Sequence, residues 1–152
     1  KIFPFLLIII ILNNVYNLVK LHPNQYIYFN NLYENKANDL FEIDYWGVAN
    51  KQALKDIVES NKHKTNLIIG VASFANLNLS KKMLNDEFKS KLIISGQDFA
   101  EADYIFNNNY SEVNTSIDDK YTIPKNFVKY SSKKKGNILI YEFYKKDDRL
   151  DK

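Results

Sequence analysis

The chain opens on a block that is apolar on every face. Phe5-Leu6-Leu7-Ile8-Ile9-Ile10-Ile11-Leu12 contains no polar residue, and Asn13, Asn14, Val15, Tyr16, Asn17, Leu18, Val19 and Lys20 follow it. A surface helix of a soluble globule keeps one polar side, and this block has none. The purely apolar stretch is shorter than the roughly 20 residues a bilayer requires, and extension to Val19 brings it near that length. The asparagines and Tyr16 then fall near the interface or against a neighbouring helix. Residues 1–20 therefore read as the end of a transmembrane helix. The alternatives are a signal peptide, for which no small-residue cleavage site follows, and a buried core helix. Lys1 and Lys20 flank both ends, so flanking charge does not orient the segment. Lys1 in the place of Met points to a fragment or a processed product.

Beyond Lys20 the pattern becomes that of a globule. Pro23 disfavours helix at His22. Tyr26 to Tyr33 is aromatic and reads as a strand or a short helix, and Glu34 to Asp39 as a polar loop. Phe41 to Gly47 ends on a turn glycine. Asn50 reads as the N-cap of a helix over 51–61 that places Ala53, Leu54, Ile57 and Val58 on one face. Asn66 to Ala72 is a short apolar run that suits a strand covered on both faces. A shorter helix over 80–88 and two more strands, 91–96 and 102–107, follow. Gly136-Asn137 is a hairpin signal between 127–131 and 138–144. In the second hairpin strand, alternation puts Ile138, Ile140, Glu142 and Tyr144 on one face and Leu139, Tyr141 and Phe143 on the other. Lys133-Lys134-Lys135 reads as a solvated hairpin tip, with anionic lipid headgroups as its other role. The whole predicts an α/β fold: a small mixed sheet with a parallel three-strand core, a C-terminal antiparallel hairpin, and helices packed on it, preceded by the transmembrane helix. The organisation is 1–20 helix end, 21–147 α/β domain and 148–152 disordered tail.

Composition narrows the chemistry. Hydrophobic residues at 45% and charged residues at 26% supply a core and a solvated surface. The net charge is only +3, and Arg149 is the sole arginine. Phosphate forks favour arginine, so a nucleic-acid surface is not expected. With no cysteine, disulfides, thiolate metal sites and cysteine nucleophiles are excluded. The four glycines are scattered, without a phosphate loop, and Gly70-Val71-Ala72-Ser73-Phe74 lacks the glycines of a nucleophile elbow. His22 and His63 are the only histidines. His63 lies in a basic loop; His22 stands at the membrane exit and is expected to hydrogen-bond a nearby loop. Glu42 and Asp44, two apart, share a face if the segment is extended, as acid–base work can require. Solvation or capping is the commoner role of such a pair. Trp46 either stacks on a sugar or packs as a domain anchor, the latter being more usual.

Two stretches carry a resemblance. His22-Pro23-Asn24-Gln25-Tyr26-Ile27-Tyr28-Phe29-Asn30 resembles an HPYQ-YxYFN motif. Phe41-Glu42-Ile43-Asp44-Tyr45-Trp46-Gly47, followed by Ala53-Leu54, resembles an FExDYWG…ALxW motif. Together they look like the C-terminal region of bacterial membrane glycosyltransferases related to the dolichyl-phosphate-mannose protein mannosyltransferases. Asn24 stands where that family usually has Tyr, and Lys55-Asp56 where a Trp is frequent, which argues against sugar stacking there. The resemblance implies a parent protein that transfers a sugar from a polyprenyl-phosphate carrier to an acceptor outside the cytoplasm. It implies that this segment is a non-catalytic accessory domain on the extracytoplasmic side of the cell membrane, with no cofactor or metal of its own. Its partners would be the bilayer, the remainder of the parent protein and a glycan or protein acceptor. His22, Tyr26, Asp44, Tyr45 and Trp46 become substrate-binding or domain-docking candidates, docking being favoured, and no catalytic residue is carried over. The alternative is a stand-alone anchored module that binds glycan or peptide.

Overall fold

The computed structural model describes residues 3–22, 24–27, 34–108, 121–147 and 149. Its first element, α1 (Phe3–Leu21), is one unbroken helix of 19 residues. At 1.5 Å per residue it spans about 28 Å, close to the hydrocarbon thickness of a bilayer. It is long and apolar enough to cross a membrane, and none of its residues is buried by the domain. Leu21, its last residue, packs against the core. Of the asparagines, Asn14 bonds back to the Ile10 carbonyl at 2.9 Å. That contact satisfies a polar group within the helix itself.

A five-stranded mixed sheet forms the domain, as the strand pattern predicts. Its strands are β1 (Leu67–Val71), β2 (Leu92–Gly96), β3 (Tyr104–Asn107), β4 (Phe127–Lys135) and β5 (Ile138–Lys146), in the order β2-β1-β3-β5-β4. β1 pairs in parallel with both β2 and β3, and β5 pairs antiparallel with β3 and β4. Leu67, Ile69 and Val71 face a layer containing α3 (Asn50–Ser60), which contributes the buried Ala53, Leu54, Ile57 and Val58. Burial of a side chain such as Leu54 or Ile57 contributes about 2 kcal/mol. Tyr104 Oη donates to Asn61 Oδ1 at 2.8 Å, and Asn61 Nδ2 donates to Ile57 O, which ties the end of α3 to the sheet. The chain runs from β1 to β2 through α4 (Leu77–Lys82) and α5 (Asp86–Ser90) on this helical face. From β2 to β3 it returns over the opposite face, where Phe99 lies on Gly70. A Cβ at Gly70 would sit 2.7 Å from the Phe99 ring. Phe99 belongs there to a second cluster with Ala72, Ala102, Ile105 and Phe127.

Several local expectations are corrected. The segment 34–39 is not a loop: a 3-10 turn (Glu34–Lys36) runs into α2 (Ala37–Leu40). The aromatic stretch after Pro23 begins as a 3-10 turn (Gln25–Ile27) with Ile27 in the core; residues 28–33 lie outside the described part. The helix expected over 80–88 is two, because Asn85 accepts from Phe88 N at 3.1 Å and starts a new turn. Asn76 caps α4 in the same way, accepting from Leu79 N at 3.2 Å. Asn50 is not an N-cap: Ala49 holds that position without a side-chain bond, and the buried Asn50 lies inside the first turn.

In the hairpin, the two-residue Gly136-Asn137 turn is as expected, with Gly136 at φ 58°. Its strands are longer, and Lys133, Lys134 and Lys135 lie within edge strand β4 and not at a tip. The simple alternation along β5 also fails. Lys133 pairs with Tyr141 and Lys134 with Leu139, which leaves Ile140 as an extra residue. That bulge turns the strand over, so Ile138, Ile140, Tyr141 and Phe143 all reach the helical-face core. Glu142 and Tyr144 turn to the other side, where Tyr144 Oη donates to Glu142 Oε2 at 2.7 Å and Lys129 pairs with Glu142. Burial first, and then the Glu142 carboxylate beside its hydroxyl, pushes Tyr144 up to about 12.

Candidate functional site

Four of the five motif residues come together where α1 meets the domain. The 3-10 turn that follows His22 positions Tyr26, and its hydroxyl donates to the carboxylate of Asp44. Asp44 sits in a turn that Gly47 closes with φ 64°. There Asp44 Oδ1 accepts from Val48 N at 2.8 Å, and Oδ2 accepts from Ala49 N at 3.2 Å. The extended geometry that would align Glu42 with Asp44 is absent: Glu42 is exposed and Asp44 is only 1% exposed. The Asp44 carboxylate is therefore a clasp that holds the turn before α3 and receives Tyr26 from the segment after α1.

Burial raises the Asp44 carboxyl to about 6, against the opposing pull of the Ala49 and Val48 amides and the Tyr26 hydroxyl. Tyr26 is pushed upward too, first by burial and then by the neighbouring Asp44 charge. Asn108, at the end of β3, donates from Nδ2 to the Asp44 carbonyl at 3.3 Å. The turn is thus bonded to both the segment after α1 and the sheet.

Tyr45 and Trp46 stand at the outer side of this turn. Their rings meet edge to face, with centroids 4.9 Å apart. Trp46 is 86% exposed and so does not serve as a packed anchor within the domain. Leu40, Phe41, Tyr45 and Val48 are exposed as well. His22 stays apart from the clasp: its Nδ1 lies 2.8 Å from Gln25 Nε2, a local bond of the kind expected of it. His63 is exposed.

A second polar cluster is not evident from the motifs. Tyr141 Oη donates to Asp56 Oδ2 at 2.6 Å, Gln52 Nε2 donates to Asp56 Oδ1 at 2.6 Å, and Lys133 Nζ lies 3.6 Å from Oδ2. It borders a cavity of about 440 Å³ between α3 and β4–β5, also lined by Glu59, Ser60 and Lys62. Burial and the Asp56 bond raise Tyr141 strongly. The only sequence signal for this cluster is the i, i+4 spacing of Gln52, Asp56 and Ser60 on α3. Among the described residues no group of three or more His, Cys, Asp or Glu side chains could hold a metal ion.

The fold and the clasp define an α/β domain bonded to the foot of a bilayer-length helix. No family model matches the chain, and neither a curated protein nor a solved structure is found to be similar to it.

Proposed function

We propose that the chain is the accessory C-terminal end of a polytopic glycosyltransferase related to the dolichyl-phosphate-mannose protein mannosyltransferases. The parent protein transfers a sugar from a polyprenyl-phosphate carrier, and its catalytic residues lie outside residues 1–152. In this reading α1 is embedded in the cell membrane and the domain lies on the extracytoplasmic side. Tyr26 and Asp44 fix the domain to the helix foot, and Tyr45 and Trp46 seat it against the interface, where amphipathic rings accumulate.

The observation that carries the reading is that a 19-residue apolar helix stands outside the core except for Leu21 at its foot, where it joins the motif turn. An apolar face of that size requires lipid or other helices around it. The test is to express the chain and the complete gene product separately in membranes. Carbonate-resistant pelleting of both is expected, with transfer of labelled sugar from a polyprenyl-phosphate donor by the complete product alone. Transfer by residues 1–152 alone, or no transfer by either, overturns the assignment.

The exposure of Trp46 favours a second reading, an anchored module that binds glycan or peptide through the Tyr45–Trp46 pair. That reading requires Trp46 emission to respond to a soluble glycan or peptide in the absence of lipid. An unchanged spectrum across a panel rejects it.

A further inference from the structure

The two crossovers of the parallel core leave the sheet in opposite directions. From β1 the chain passes to α4 on the helical face; from neighbouring β2 it passes to Phe99 on the other face. Where adjacent parallel strands send their connections to opposite faces, a crevice opens beyond their carboxyl ends, and ligands of open α/β sheets bind there. This chain has such a crevice, about 240 Å³ in volume, between the ends of β1 and β2. That lies below the roughly 300–1,000 Å³ of drug-sized ligand sites and suits a single ring.

Among the described residues the lining is uncharged. Ser73, Asn76, Asn78 and Gln97 supply hydroxyl and amide groups, and Phe74 and Tyr121 supply aromatic rings. Ser73 is 2% exposed; its Oγ accepts from Ala75 N at 3.3 Å, which leaves the hydroxyl proton to donate. Asn76 spends its carbonyl oxygen on Leu79 N and keeps its NH₂. The side chains of Asn78 and Gln97 are exposed and take no hydrogen bond within the described residues. Gly96, at φ 67°, forms an open floor: a Cβ there would meet nothing within 4 Å. The described lining offers no cation to neutralise a phosphate or carboxylate and no anion to hold an amine. Amides that both donate and accept, beside a ring that is 59% exposed at Phe74, match a ligand with many hydroxyls and an apolar face.

We propose that this crevice binds one neutral pyranose unit. The choice of a sugar among uncharged polar ligands rests on the glycosyl-transfer reading above, whereas the crevice and its uncharged described lining do not.

The test uses the full chain in detergent micelles, with the side-chain amides of Asn78 and Gln97 followed by NMR. Methyl glucoside, methyl mannoside and N-acetylglucosamine are the probes; glucuronate and glucose 6-phosphate are the charged controls. At least one neutral probe is expected to shift both amides, saturably, while the charged sugars do not. The double variant Asn78→Ala/Gln97→Ala should weaken that binding about tenfold, as the loss of two net hydrogen bonds implies. Phe74→Ala should weaken it as well. All three side chains are exposed, so the fold should survive, which the unchanged backbone spectrum checks. No shift with any neutral probe, a shift with the charged sugars alone, or affinity unchanged in both variants overturns the proposal. Sugar binding here without transfer by the complete gene product would sink the glycosyltransferase reading only. Transfer without binding here would sink the crevice only.

Discussion

Asp44 shows how one residue can be essential to a local geometry and yet costly to it. Its oxygens hold two backbone amides and the Tyr26 hydroxyl, but burial makes the charged form unfavourable and lifts the carboxyl from its ordinary 3.8 to about 6. A carboxyl whose folded value exceeds its unfolded value binds its proton more tightly when folded. Its contribution to stability is therefore greatest below about pH 4, and it falls as pH rises towards about pH 6. The size of that fall is about 3 kcal/mol. In Asp44→Asn the dependence disappears, because the amide does not titrate, while Oδ1 still accepts from Val48 N. Denaturant midpoints of the two proteins across this range give the difference directly. Parallel pH curves for wild type and variant would show that the carboxylate is ionised in the fold without penalty.

At the scale of elements, the β4–β5 hairpin depends on one backbone conformation. Gly136 takes φ 58° so that a two-residue turn can join the strands without splaying them. Gly136→Val puts a branched side chain into the left-handed region, at a cost of about 1–2 kcal/mol. A thermal melt of the variant should show that loss, and an unchanged melt would mean that the strands are held by their core contacts alone.

The turn was legible from the Gly-Asn pair, as α3 was from Ala53, Leu54, Ile57 and Val58 and the parallel core from three apolar runs. What alternation could not reveal was the bulge at Ile140. A one-residue insertion into strand register leaves no mark in a sequence where Ile138 to Tyr141 are all apolar. For the same reason the length of β4 was hidden: its lysines read as a tip because edge strands carry charge that discourages pairing with another chain. Of the candidate site, the proximity of Tyr26 to Asp44 was legible only as two motifs. Their hydrogen bond, the Asn108 contact and the Asp56–Tyr141 pair join residues 18, 64 and 85 positions apart, which no local spacing reports.

For the whole molecule, the question is how the domain sits against whatever surrounds α1. At most about 18 Å of backbone separates Leu21 from Tyr26, and the Tyr26–Asp44 bond brings the Tyr45–Trp46 pair into that neighbourhood. With α1 across a bilayer, as proposed, an aromatic pair beside its foot would lie where tryptophan and tyrosine gather at membrane interfaces. Trp46 is the only tryptophan, so its emission reports on this point alone. With the full chain reconstituted into phosphatidylcholine vesicles, its emission should shift to the blue relative to residues 22–152 prepared without the helix. Lipids brominated near the headgroup should quench it more than lipids brominated at the chain ends. Tyr26→Phe removes the bond to Asp44 while keeping the ring, and should weaken the quenching if the clasp sets the orientation. Emission that stays at the position of a hydrated indole in vesicles would mean that the turn faces away from the bilayer, and the interfacial role of Tyr45 and Trp46 would then be lost.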